Sequence, residues 1–118
     1  MNLAELFRHA TDLKTLAAGQ FLFKEGDSGD LMYVLMTGVA EIQVHGRVME
    51  RAEAGAILGE MAMIDDAPRS AAVVAQSDCT LLPIGRERFQ FLIQQTPNFA
   101  LHVMRVMAGR LRATDAIL

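Results

Sequence analysis

Residues 59–73 read GEMAMIDDAPRSAAV, a largely apolar stretch too broken for a long helix. Apart from the acidic pair Asp65 and Asp66, it holds one carboxylate at Glu60 and one guanidinium at Arg69, set among small residues. Gly59 followed by EMAMI predicts a strand end and then a short helix whose first residue, Glu60, complements the helix dipole. Arg69 directly precedes SAAVVA, which reads as a buried strand, so its guanidinium emerges where the chain enters the core. A cation there needs a fixed anionic partner. Phosphate suits the planar fork of arginine, which can hold two oxygens at once. Gly59, Ala62, Ser70 and Ala71 are small enough to let backbone N–H groups approach an anion beside a helix N-terminus. Glu60 cannot serve that same phosphate, but it can accept from a sugar hydroxyl. An arginine for phosphate and a glutamate for ribose together describe a small nucleotide with both groups close to one another.

Outward from this stretch, residues 13–85 form short apolar or alternating runs separated by glycines: DLKTLAA, QFLFK, LMYVLM, VAEIQV, RVMERA, AAVVA and CTLLPIG. Many short strands joined by turns predict an antiparallel roll or barrel. The best turns are EGDSGD at 25–30 and HGR at 45–47, with Gly38 and Gly55 at tight-turn or bulge positions. After Gly85 the period becomes helical. Phe89, Leu92 and Ile93 form one stripe, and that helix stops near Thr96 because Pro97 follows. Thr96 as N-cap and Pro97 at N1 open a second helix, with apolar positions Ala100, Val103, Met104, Met107, Ala108 and Leu111. At the other end, Asn2 caps a short helix in which Leu3, Leu6 and Phe7 share a face.

The 118 residues suit one domain, and the hydrophobic fraction of 52% with 21% charged predicts a packed core. The net charge of -3 leaves no broad cationic surface, which disfavours direct nucleic-acid binding or adhesion to an anionic membrane. The longest apolar run, 31–44, is interrupted and too short to span a bilayer. The single Cys79 has no partner for an internal disulfide and reads as a core residue, which favours a reducing cytoplasmic setting. His9, His45 and His102 fall on three separate elements, so no metal site is expected and a metal-dependent enzyme on a similar roll is disfavoured. No nucleophile lies in a recognisable catalytic motif, and the chain is not expected to be an enzyme.

The pattern G-E-x-A, a short loop, then P-R-S-A-x-V resembles the phosphate-binding cassette of the cyclic-nucleotide-binding domain family. That family includes the regulatory subunit of cAMP-dependent protein kinase, bacterial catabolite-activator and FNR-type regulators, and cyclic-nucleotide-gated channels. Upstream, LAAGQFLFKEGDSGDLMYVLMTGVAEI resembles the first half of the family's β-roll, with Gly19, Phe23, Gly26, Asp27, Gly29, Tyr33, Val34 and Gly38 at the expected places. The resemblance implies a mainly β fold with flanking helices: an N-terminal helix in 1–12, a β-roll in 13–85 carrying the cassette 59–73, and two C-terminal helices in 86–118, all one domain. It implies a ligand site of Gly59, Glu60, Met61, Ala62, Arg69, Ser70 and Ala71. In that site Glu60 accepts from the ribose 2′-hydroxyl beside the Gly59 backbone. Arg69 binds the cyclic phosphate, helped by the Ala62 and Ser70 amides and the Ser70 hydroxyl.

The ligand expected is cAMP, favoured over cGMP, although a hydroxyl at position 70 can also meet guanine. The resemblance further implies a sensor in which the C-terminal helix folds over the purine as a lid or pairs with its copy in a homodimer, through Met104, Met107, Leu111 and Leu118. Because the chain ends at Leu118, no helix-turn-helix, inhibitory segment or transmembrane helix is expected within it. The alternative reading is a protein-interaction module that keeps the roll without the nucleotide.

Overall fold

The computed structural model describes residues 1–115, with eight strands, three α-helices and one short 3-10 helix. One antiparallel sheet runs β1 (Lys14–Leu16), β8 (Cys79–Ile84), β3 (Met32–Thr37), β6 (Ile57–Leu58). The other runs β2 (Phe21–Phe23), β7 (Ala72–Ala75), β4 (Ala40–Val44), β5 (Arg47–Ala52). The expected roll is present. The 3-10 helix Glu60–Met63 replaces the short EMAMI helix, and β6, two residues long, is too short for any alternation to reveal it.

Strand β3 shows why the domain has two cores. Side chains alternate across a strand, so Tyr33 and Leu35 enter the core between the sheets, with Leu81, Val73 and Ala40. Met32 and Val34 face the other way, into a second core with Leu3, Leu82, Ile84, Phe99 and Val103. Both faces of β3 are therefore covered, which a continuous apolar run such as LMYVLM permits. Pro83 is tolerated inside β8 because β1 pairs only with residues 79–81, leaving Pro83 one neighbouring strand.

The second core holds the helices. Helix α1 (Leu3–Leu6) is capped by Asn2, whose Oδ1 accepts from Glu5 N–H at 3.2 Å. Leu3 is buried and Phe7 packs edge-on to Phe99, but Leu6 is exposed: a single turn cannot bury three positions against one surface. Helix α2 (Arg86–Gln95) ends before Pro97 as expected, and α3 (Pro97–Asp115) follows. The α3 stripe differs from expectation. Phe99 and Val103 are buried, Val106 and Met107 pack behind them, and Leu101, Met104 and Leu111 are exposed. A 3.6-residue period admits either face, and only docking selected the one starting at Phe99. Leu118, placed in this stripe by the sequence, lies outside the described residues.

Phe99 touches the rings of both Phe7 and Phe89 and so ties all three helices to the roll. Phe99→Ala is expected to cost about 3–5 kcal/mol, read by urea unfolding, with α1 and α3 amides losing hydrogen-exchange protection before those of β3 and β8.

Candidate functional site

A cavity of about 400 Å³, ordinary for a small-molecule site, lies between the β2-β7-β4-β5 sheet, the 3-10 helix and α3. All seven residues singled out in the cassette line it: Gly59, Glu60, Met61, Ala62, Arg69, Ser70 and Ala71. The remaining wall is mostly apolar, from Phe23, Ile42, Val44, Val73, Met107 and Leu111, with Glu50 and Arg110 as further charged members.

Arg69 is held from several sides. Its backbone N–H donates to Asp27 O at 2.7 Å and its carbonyl accepts from Gly26 N–H at 2.8 Å, so the EGDSGD turn fixes where the side chain starts. Strand β2, paired with β7, brings Phe23 under the guanidinium, 4.1 Å from ring centroid to Cζ. Nη2 donates to Leu31 O at 2.7 Å and Nη1 to Gly59 O at 3.2 Å. Two glycines make this packing possible. A Cβ on Gly29 would stand 2.6 Å from Nη2, and one on Gly59, at φ +72°, would stand 2.6 Å from Nη1. Nε is buried with no acceptor. Burial pulls the Arg69 pKa below the usual arginine value, against the opposing influence of Tyr33, Asp30, Asp27 and Glu60. Among the described residues no carboxylate forms an ion pair with it.

Glu60, only 5% exposed, has a partner that sequence reasoning did not find. Arg110 of α3 donates through Nη1 to Glu60 Oε1, through Nε and Nη2 to the two oxygens of Glu50 at 3.0 Å each, and through Nη2 to Ile57 O at 2.7 Å. Burial works against the charge on Arg110, but Glu50 and Glu60 outweigh it and the pKa is raised. Glu50 reaches the site through a β-bulge. Ile42 pairs with Glu50 and Gln43 with Val48, leaving Met49 extra, so that consecutive residues Met49 and Glu50 both line the cavity. A signal for Arg110 was present in the sequence: it continues the Phe99, Val103, Val106 stripe at i+11, a cation where the buried face predicts an apolar residue.

The Ala62 amide differs from expectation. It donates to Gly59 O at 3.2 Å within the 3-10 turn, so its hydrogen bond is made inside the cassette. Among the described residues no group of His, Cys, Asp or Glu could hold a metal ion, and no helix is long and apolar enough to cross a membrane.

Comparison with known proteins gives a consistent result. The family profile described as the cyclic nucleotide-binding domain matches residues 13–96. The chain is 35% identical over 91 residues to a cAMP-dependent protein kinase regulatory subunit of Emericella nidulans, covering 75% of this chain and 22% of that protein. It is also 35% identical over 79 residues to a cGMP-dependent protein kinase of Toxoplasma gondii, covering 67% of this chain and 8% of that protein. The crystal structure of the Thermus thermophilus catabolite activator protein superposes with a TM-score of 0.79 at 29% identity, covering 97% of this chain and 55% of that one. The chain thus spans 22%, 8% and 55% of these three proteins respectively.

Gly29→Ala is expected to displace the Arg69 guanidinium and leave the roll intact, because the clashing atoms are the end of a flexible side chain. The NMR signal of the Arg69 Nε–H should shift and exchange faster with water, while unfolding free energy changes by less than about 1 kcal/mol.

Proposed function

The chain belongs to the cyclic nucleotide-binding domain family, and on that premise we propose that it senses a cyclic purine nucleotide, cAMP in preference to cGMP, in the cavity beneath α3. The domain so read binds and does no chemistry on its ligand. It acts as one module, with the N-terminal helix in 1–12, the roll in 13–85 and the helices in 86–118. The observation that carries the reading is the state of Arg69. Its guanidinium lines the cavity, is fixed by carbonyls and by a ring face, and keeps a buried Nε–H with no acceptor. Burial works against its charge and the nearby acidic groups do not restore it, so the guanidinium is short of negative charge, which a phosphate in the cavity would supply. Glu60, on the same wall, would accept from the ribose 2′-hydroxyl. The Ser70 hydroxyl and the amides of Ser70 and Ala71 would complete the anion site, with Gly59, Met61 and Ala62 shaping the wall beside the sugar.

The same geometry supports a route from occupancy to movement. Arg110 holds α3 to the roll through Glu60, Glu50 and Ile57 O. A ribose hydroxyl that engages Glu60 shares the carboxylate on which Arg110 depends. A ligand that competes for Glu60 would therefore bind better where α3 no longer needs that carboxylate, and such differential affinity is the condition for shifting the helix. Arg110→Gln should abolish the nucleotide-dependent change in hydrogen exchange along α3, with the cavity still able to bind.

A second reading concerns assembly. Leu101, Met104 and Leu111 are 47%, 57% and 64% exposed at heptad spacing on α3, which favours pairing of this helix with a second copy. The seam then differs from the one read in the sequence, since Met107 packs against the roll. Light scattering at high protein concentration should show a dimer, and a monomer with and without nucleotide would refute the pairing.

Calorimetric titration with cAMP and then cGMP tests the main reading. Arg69→Ala is expected to lower affinity by about 30-fold to several-thousand-fold, the equivalent of roughly 2–5 kcal/mol, and Glu60→Ala by less. Unchanged affinity in a folded Arg69→Ala variant would overturn it. Absence of binding by the unmodified protein to either nucleotide would leave the interaction-module alternative.

A further inference from the structure

Arg86 is the first residue of α2, the end of a helix where the exposed N–H groups disfavour a cation. What holds it there is the far side of the cassette. Its Nε donates to Ala62 O at 3.1 Å, and its Nη2 donates to Asp65 O at 2.8 Å and to Asp66 Oδ1 at 2.6 Å. Ala62 and Asp65 carry carbonyls at the C-terminal end of the 3-10 helix and the turn after it, acceptors that the short helix leaves without a following turn to satisfy them. Arg86 itself is absent from the cavity wall, whereas Glu60, Ala62 and Ala67 are on it. We propose that Arg86 is a positioning residue: it holds the outer side of the cassette on α2 and so keeps the ligand-facing side pre-shaped. This rests on the nucleotide-sensor reading for its functional consequence, but the clamp itself does not require it.

The three contacts are unequal. The Asp66 side chain is 90% exposed, and an ion pair in that setting contributes little. The two backbone carbonyls therefore carry the clamp, because only a planar fork spans both. Lysine, a point charge, can meet one of them.

The test compares Arg86→Met, which keeps the aliphatic stem, with Arg86→Lys and Asp66→Ala. In Arg86→Met the cAMP affinity should fall about tenfold, mainly through slower association, because fewer molecules hold the competent cassette at any moment. Arg86→Lys should recover part of the loss, and Asp66→Ala should change affinity less than about twofold. Amide hydrogen exchange without nucleotide gives the independent readout. Residues 62–68 should exchange faster in Arg86→Met, with the amides of β3 and β8 unchanged. Unchanged affinity and exchange would overturn the proposal. So would exchange that accelerates equally across the roll, which would mark Arg86 as a general stabiliser. If the unmodified protein binds neither cAMP nor cGMP, the sensor reading fails, and exchange at 62–68 alone decides for or against the clamp.

Discussion

The candidate site can be understood from the partial burial of one guanidinium. Removing a cation from water is costly unless fixed dipoles or charges replace the lost hydration, and the surroundings of Arg69 are built to supply some of that replacement. The turn at 25–30 holds its backbone, β2 delivers the Phe23 ring, and Leu31 and Gly59 offer carbonyls. Gly29 and Gly59 leave room for this guanidinium, since a methyl group at either would occupy the space of its nitrogens. These supports come from two stretches of the chain, 23–31 and Gly59: the pairing of β2 with β7 sets the first against Arg69, and the pairing of β6 with β3 places the second.

The second half-buried arginine solves the same problem in the opposite way. Arg69 meets carbonyls and a ring, so burial dominates and its pKa falls. Arg110 meets two carboxylates, which more than offset its burial and raise its pKa. One end of the cavity thus presents a cation short of negative charge, and the other presents a cation already balanced by Glu50 and Glu60. An anionic group is drawn to the first end, and a neutral hydroxyl donor suits the second. The cavity is therefore polarised by backbone placement, while its net composition stays mostly apolar.

Helix α3 is attached in two distinct ways, and the difference shapes its dynamics. Near its start, Phe99 and Val103 are buried among apolar side chains, an anchor with no directional requirement. At Arg110 the attachment consists of directional bonds to Glu50, Glu60 and Ile57, ending at the cavity itself. Apolar contacts yield gradually to small displacements, whereas charge-assisted hydrogen bonds depend steeply on distance and angle. The distal part of α3 is thus tied by directional bonds to Glu60 on the cavity wall, and α2 meets the cassette from its other side.

Local information was enough for much of this. Alternating runs, glycine turns, the Thr96–Pro97 break and the G-E-x-A…P-R-S-A pattern specify a roll with a cassette and flanking helices, because each depends on contacts within a few residues. Arg69 stood out because a cation adjoining a buried strand is anomalous in the sequence itself. The parts played by Glu50, Arg110 and Arg86, and the reason for the glycine at position 29, were not legible in the same way. Glu50 reaches the cavity only because a bulge displaces its strand. Gly29 matters only because a side chain 40 residues later folds back over it. Arg86 and Arg110 find their acceptors 20 or more residues away across the fold. The sequence by itself determined which elements form and where a buried charge must be answered; tertiary structure alone decided which groups answer it, because hydrogen bonds between distant segments follow from register and docking angle, which no local pattern records.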